Sequence, residues 1–521
     1  MTKHHAAKPH QDDRIPAIAR AKARVRPIVA VVGRPNVGKS TLFNRLAGAR
    51  IAIVHDEPGV TRDRNYADAF ARGVEYTLID TGGFDPDSDD PMRQGIARHV
   101  RGAIEEADVV VCVLDATTDV TSADREAVQL LRASKRPVLY VANKADSPAV
   151  DALAFDHYRL GIPHIFPVSS LHGRGVGDLE EAIVDALPES SEIDDAFADL
   201  GEHVPRVALI GRPNAGKSSL LNRLVGEERS LVDDRPGTTR DSVDALIRFK
   251  LKTEKGMVEH PLVVIDTAGI RRKSKVEETV ESVSVMRAVR AIERAEIVVL
   301  MCDAAEGVAE QDAKILGLAV DRGRAVVIAL NKADLLDAAG LKRAEEAARD
   351  KLSFTPWAPI VRLSAKTGRG VGNLVDVVVK TREAWNKRIG TGALNRFFEE
   401  VLATHPPPTM NGRSVRLYYV TQAESRPPTF VVVTNEPEFV HFSYRRYIEN
   451  RIRQHFGFEG TPIRVRYKPK RKRARGAEKP GSKHEDAERN DGDELDVPEI
   501  EAAPAKPEKP VRRKRRVKAV P

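Results

Sequence analysis

At 521 residues the chain is too long for one hydrophobic core and suits about three domains of ordinary size. Its 41% hydrophobic and 31% charged residues are those of a globular protein. No stretch approaches the roughly 18 to 20 continuous apolar residues that span a bilayer, and the polar start MTKHHAAKPHQDD lacks the apolar middle of a signal peptide, so a cytoplasmic location is expected. The net charge of +8 gathers at the ends: residues 1–27 hold 7 Lys and Arg against 2 Asp and Glu, and residues 468–521 hold 17 against 11. Basic ends on a mildly acidic body suggest contact with a polyanion, with plainly solvated tails as the alternative.

Taken in chain order, residues 1–27 read as a disordered basic extension. From Pro27 short apolar runs alternate with helix-compatible stretches, as IVAVVG, YTLIDTGG, VVVCVLDA, PVLYVANKAD and HIFPVSS. That rhythm predicts an α/β domain over 28–188, a parallel-type sheet with helices on both faces. An acidic linker, 189–204, follows. The rhythm then returns over 205–390 as VALIG, PLVVIDTAG, IVVLMCDA, AVVIALNKAD and PIVRLSA. The charged segment RFKLKTEKGMVEHPL predicts a longer hairpin in this second copy. Residues 391–467 read as helix, strand, strand, helix, strand, a small α+β domain. Beyond Lys468 the composition collapses to Lys, Arg, Glu, Asp, Gly and Pro, which cannot build a core, so 468–521 is expected to be disordered. Cys112 and Cys302 sit inside apolar runs and read as small core residues.

The repeat carries chemistry. Gly33, Arg34, Pro35, Asn36, Val37, Gly38, Lys39 and Ser40 spell GRPNVGKS, and Gly211, Arg212, Pro213, Asn214, Ala215, Gly216, Lys217 and Ser218 spell GRPNAGKS. Each octapeptide follows an apolar strand and opens a helix-competent run, the context in which backbone N–H groups cradle phosphates at a helix N-terminus. Lys39 and Lys217 then face the β and γ phosphates, and Ser40 and Ser218 ligate Mg²⁺. PGVTRD (Thr61) and PGTTRD (Thr239) supply a threonine that completes the metal shell only when the γ-phosphate is present. Asp80, Thr81, Gly82 and Gly83, and again Asp266, Thr267, Ala268 and Gly269, place a metal-holding carboxylate and a phosphate-sensing glycine. Base choice falls to Asn143, Lys144 and Asp146, and to Asn331, Lys332 and Asp334, in NKAD. The carboxylates of Asp146 and Asp334 accept both N1–H and N2–H₂ of guanine, where adenine offers no donor. Ser169 and Ser170, and Ser364 and Ala365, are small residues that let backbone N–H approach the guanine O6.

This set resembles the bacterial GTPases that include Era and the tRNA-modification GTPase. Two such domains followed by a KH-like domain resemble the Der (EngA) family, GTPases that assist assembly of the large ribosomal subunit. The resemblance covers residues 28 to 467 and implies GTP or GDP at both sites, Mg²⁺, a 50S subunit or its precursor with its rRNA as partner, no membrane, and a monomer off the ribosome. It also implies docking of the last domain on the second GTPase domain. The water-orienting Gln of the better-known small GTPases is replaced by Phe84 and Ile270. Related GTPases use K⁺ beside the phosphates, so Asn36 and Asn214 are candidate K⁺ ligands; the alternative is that each only shapes its loop.

A KH domain clamps nucleic acid with a G-x-x-G loop between helices. GFEG at Gly457 to Gly460 lies instead between a helix and a strand and reads as helix-ending turn chemistry. RNA contact is therefore assigned to Arg445, Arg446, Arg451 and Arg453, or to the face of Arg464 and Arg466, with a solvated helix face as the alternative. Two functions follow: a GTP-driven switch in ribosome biogenesis, or an RNA-binding scaffold in which one GTP site is structural.

Overall fold

The computed structural model describes residues 26–48, 66–81, 101–104, 106–188, 204–226, 231–236, 243–253, 256–267, 281–409 and 414–470. Residues 1–25 and 471–521 of the predicted tails, 189–203 of the linker, and the segments holding Thr61, Gly82, Gly83, Thr239, Ala268, Gly269, Phe84 and Ile270 lie outside those residues. The last strand runs to Pro469, into the stretch expected to be disordered, because it pairs with its neighbour there.

The first copy builds β1 (Ile28–Val32), α1 (Lys39–Ala47), β2 (Tyr66–Ala71), β3 (Val74–Asp80), β4 (Val109–Asp115), α2 (Ser122–Arg132), β5 (Val138–Asn143), α3 (Pro148–Ala154), β6 (Ile165–Val168) and α4 (Val176–Ala186). Its sheet order is β2-β3-β1-β4-β5-β6. The central strands β1 and β4 are buried at every residue, as parallel strands covered on both faces must be. The edge strand β2 is antiparallel to β3 and alternates buried with exposed positions. The sheet is thus mixed, where the sequence predicted a parallel type. A Thr121–Asp124 capping box starts α2.

The second copy builds β7 (Arg206–Ile210), α5 (Lys217–Gly226), β8 (Leu231–Pro236), β9 (Val243–Thr253), β10 (Gly256–Ile265), α6 (Glu281–Arg294), β11 (Ile297–Asp303), α7 (Glu310–Asp321), β12 (Ala325–Asn331), α8 (Ala338–Lys351), β13 (Ile360–Arg362) and α9 (Val371–Asn386). Its order, β13-β12-β11-β7-β10-β9-β8, repeats the first with one further edge strand. The predicted long hairpin is β9 with β10, antiparallel from Val264 opposite Ala245 to Gly256 opposite Thr253. Cys112 and Cys302 are buried within β4 and β11, and burial pushes the Cys112 thiol up to about 12.

The C-terminal part builds α10 (Thr391–Thr404), β14 (Leu417–Ser425), β15 (Pro428–Thr434), α11 (Phe442–Phe456) and β16 (Arg464–Pro469), the predicted order. Strand β15 lies in the middle, antiparallel to β14 and parallel to β16. Phe397, Phe398, Phe430, Ile448 and Phe458 centre its core. It docks on the second copy, as the resemblance implied. Val326 N–H donates to Gly460 O at 2.7 Å, Gly460 N–H to Trp357 O at 3.0 Å, and Arg464 to Asp321 O at 2.6 Å.

Among the described residues no helix is long and apolar enough to cross a membrane.

Candidate functional site

Each phosphate loop runs from the C-terminal end of a central strand, β1 or β7, into a helix, α1 or α5, so the crevice outside the strand ends is where a ligand meets both. Two glycines per loop are obligatory for space. A Cβ on Gly33 would strike the Val113 carbonyl, and one on Gly211 the Met301 carbonyl. A Cβ on Gly38 or Gly216 would strike the amide of Asn143 or Asn331, and both glycines are left-handed, at φ 89° and 95°. Asn36 and Asn214 are also left-handed, at φ 65° and 62°, a conformation asparagine tolerates well. Loop shaping therefore has a physical basis of its own at these residues.

Lys39 donates from Nζ to Arg34 O at 2.8 Å, and Lys217 to Arg212 O at 2.6 Å, so each ammonium lies over its own loop. Desolvation lowers the Lys39 pKa, and the charge of Asp80 opposes that shift. Ser40 Oγ donates to Asp80 Oδ2 at 2.7 Å, which brings together two hard oxygen donors of the kind Mg²⁺ takes. Thr81 anchors the end of β3 by donating to Val31 O at 2.9 Å. In the second copy Asp266 sits at the end of β10 with φ 57°, its N–H bonded to Asp244 Oδ1 at 3.1 Å.

The two NKAD segments close the frame. Asn143 donates to Val37 O at 2.8 Å and accepts from Ser170 N–H at 3.0 Å, so one side chain joins the phosphate loop to the loop after β6. Asn331 does the same between Ala215 O, 2.9 Å, and Ala365 N–H, 2.9 Å. The N–H groups of Ser170 and Ala365 are therefore engaged with their asparagines. Ser169 Oγ donates to Asp146 at 2.6 Å, and Ser364 holds the Asp334 carboxyl below its ordinary value. Both carboxylates are exposed.

Two residues of each site escaped the sequence reading. Asp115, ending β4, receives Lys144 Nζ at 2.6 Å, and Asp303, ending β11, receives Lys332 Nζ at 2.6 Å. Burial would raise the Asp115 carboxyl, but Lys144 and the Thr117 hydroxyl and N–H together hold it low. Lys144 and Lys332 adopt left-handed backbone at φ 68° and 59°, so the Asp fixes a lysine whose main chain is already constrained. The repeated Asp-Ala that ends VVVCVLDA and IVVLMCDA was the available signal. The second pair, Arg45 and Arg223 of the repeated N-R-L, reaches from α1 and α5 to the loops after β6 and β13. Arg34 and Arg212 of the octapeptides face Asp124 and Asp312, at 3.4 and 3.1 Å, at the starts of α2 and α7.

The arginines assigned to RNA divide. Arg453 turns inward: it donates to Phe458 O at 2.7 Å, pairs with Glu449 at 3.1 Å and stacks 4.7 Å from the Trp357 ring, so it is a docking residue and not a nucleic-acid contact. Arg464 is likewise committed to Asp321 O. Arg445 is exposed in part but its guanidinium bonds Val440 O and Pro437 O and lies over Tyr467. Arg446, Arg451 and Arg466 are exposed. GFEG does end α11, with Gly457 at φ 69° and its N–H on Arg453 O, and it also makes the docking contact, since a Cβ on Gly460 would collide with Thr381.

Residues 28–144 and 206–332 each match the family model described as a 50S ribosome-binding GTPase, and residues 388–468 match the KH-domain-like C-terminal part of EngA bacterial GTPase enzymes. Residues 282–384 also match the GTP-binding domain of elongation factor Tu. The GTPase Der of Moorella thermoacetica is 47% identical over 452 residues, which cover 86% of this chain and 100% of that protein. The chain belongs to the Der family. The GTPase Der of Citrifermentans bemidjiense, 45% identical over 451 residues, again covers 86% of this chain and 100% of the relative. As a Der GTPase the protein binds guanine nucleotide and hydrolyses GTP, and its two P-loop domains and KH-like domain are those of the family.

Proposed function

We propose that the protein is a two-site GTP switch that times binding to and release from a 50S subunit or its precursor in the cytoplasm. The observation that carries this is the sameness of the two frames: in both copies one asparagine ties the phosphate loop to the base loop, and one Asp–Lys pair fixes the base segment. Duplicated geometry favours two working sites over a scaffold with one structural site. Lys39 and Lys217 hold the β and γ phosphates; Asp146 and Asp334 read guanine. Ser40 with Asp80, and Ser218 with Asp266, would hold Mg²⁺, joined by Thr61 and Thr239. The metal supplies charge neutralisation along the phosphates. With Phe84 and Ile270 where a water-orienting Gln would stand, K⁺ at Asn36 and Asn214 is part of the proposal. Equal GTP turnover in K⁺ and Na⁺ at one ionic strength would remove it. Exposed Arg446 and Arg451 suit an rRNA partner.

Lys39→Ala and Lys217→Ala, made separately, test the reading. Each is expected to cut turnover at its own site and to change co-sedimentation with 50S particles between GDP, GTP and a non-hydrolysable analogue. A silent site in the unmodified protein, or sedimentation indifferent to nucleotide, would overturn it.

A further inference from the structure

The structure assigns a further role to Arg45 and Arg223: we propose that they are positioning residues that aim one backbone N–H, of Leu171 or Lys366, at the 6-oxo group of the purine. This rests on the base-reading assignment of Asp146 and Asp334 made above.

Arg45 donates from Nε to Ser170 O at 3.0 Å and from Nη2 to Leu171 O. Arg223 repeats the grip, Nε to Ala365 O at 3.2 Å and Nη2 to Lys366 O. A planar guanidinium on two successive carbonyls fixes two peptide planes at once, which a single-point donor cannot do. In a trans peptide the carbonyl and the next N–H point opposite ways. Pulling Ser170 O toward α1 therefore sends Leu171 N–H away from α1, and pulling Ala365 O toward α5 does the same to Lys366 N–H.

The neighbouring N–H groups are all spent. In the first loop Ser170 N–H goes to Asn143, His172 N–H to Ser169 Oγ at 3.1 Å and Gly173 N–H to Ser169 O at 2.8 Å. In the second, Ala365 N–H goes to Asn331, Thr367 N–H to Ser364 Oγ at 3.1 Å and Gly368 N–H to Ser364 O at 2.8 Å. Among the described residues, the N–H groups of Leu171 and Lys366 find no partner and are what each turn leaves over. The same serine that tethers the turn also holds the guanine-reading carboxylate, Ser169 to Asp146 at 2.6 Å, so the free donor sits next to the group that reads the other edge of the base. Two copies that differ at Ser170 against Ala365 and Leu171 against Lys366 keep the same main-chain pattern and the same arginine, which points to a role for the backbone N–H and not for the side chains.

The test is a cycle of variant against base analogue on the full chain. Asp334→Ala is used as background to silence guanine reading at the second site, and Asp146→Ala serves when the second site is measured. In the Asp334→Ala background, Arg45→Ala should weaken GDP about tenfold, the loss expected for freeing a charge-held hydrogen-bonded loop. Inosine diphosphate, which keeps the 6-oxo group but lacks the 2-amino group, should weaken by the same factor. Diphosphate of 6-thioguanosine, whose sulfur is a poor acceptor, should weaken by threefold or less. Arg45→Lys, able to reach one carbonyl, should recover part of the GDP loss. Equal loss with all three nucleotides, or no loss, overturns the proposal. If Asp146→Ala leaves the preference for guanosine over inosine diphosphate intact at the first site, the base-reading assignment is what fails.

Discussion

The two copies diverge at positions that occupy the same place in each fold. Ala67 pairs with Leu78 and Ala245 with Val264, so Tyr66 and Asp244 are register equivalents one residue earlier on β2 and β9. Glu106 and Arg294 each stand three residues before the next strand, β4 or β11. In the second copy these positions close on themselves: Arg294 pairs with Asp244, whose other oxygen takes Asp266 N–H. In the first copy both positions turn outward to the second. Tyr66 donates to Lys314 O in α7, and Glu106 takes Arg287 of α6 at 2.6 Å. A third pair follows the rule: Glu296 takes Arg382 of its own copy at 2.9 Å, while Asp108 takes Arg290 of the other at 3.0 Å. The lesson is that the second copy braces the strand end at Asp266 from within, and the first takes its brace from its neighbour. One buried apolar cluster runs through both, from Tyr66 and Ile79 to Val289 and Ile315.

Arg322 gives the sharpest way to break this picture. Its side chain is 5% exposed and bridges Glu293 of its own copy to Asp68 and Thr77 of the first. Arg322→Ala should cost about 3 to 5 kcal/mol, because it removes the close partner of the buried Glu293 carboxylate and leaves it, among the described residues, only Arg324, 3.9 Å away. Denaturant unfolding followed by probes in each copy should show both transitions lowered; a change confined to one copy would deny the shared brace. Next in size, Arg294→Ala and Arg290→Ala should part company. The first should lower the stability of the second copy by about 2 kcal/mol with the interdomain distance unchanged, and the second should lengthen that distance with little loss of stability. Distance measured by paired fluorophores on the two copies decides, and identical behaviour of the variants would end the comparison. Smallest is the pH response. Burial would raise the Asp68 carboxyl, yet Arg322 and Arg26 hold it below its ordinary 3.8. A depressed carboxyl contributes fully above that value and is lost as pH falls beneath it, so the interdomain distance should hold steady from pH 8 to 5 and grow only below about 3.8. Growth already near pH 6 would mean that another group controls docking.

Much of each site was legible because its parts are read locally. GRPNxGKS between strand and helix, D-x-x-G at a strand end and NKAD each announce a backbone geometry within a few residues, and the described parts of the structure bring them together. The Asp–Lys pairs were less legible. Asp115 ends β4 and Lys144 follows the end of β5, and only the parallel pairing of the two strands, Asp115 opposite Asn143, makes them partners. The antiparallel edge was announced only in the second copy, by the hairpin of RFKLKTEKGMVEHPL; in the first, the direction of β2 is set by the pairing it finds, not by its own composition. The arginines of α11 show the same limit, since at least four cationic residues share one helix and the sequence assigns them no faces. Packing on Trp357 takes Arg453 inward and leaves Arg446 and Arg451 out.

By itself the sequence determined that there are two P-loop GTPase domains and that a small α+β domain follows, because these depend on short-range patterns with a fixed period and spacing. The tertiary structure alone decided that the first copy leans on the second, through contacts such as Arg322 to Asp68, 254 residues apart. Chain separation carries no trace of such a meeting. It arises only when two folded surfaces bring opposite charges and apolar faces into register, and identical positions in a repeat can then serve opposite ends.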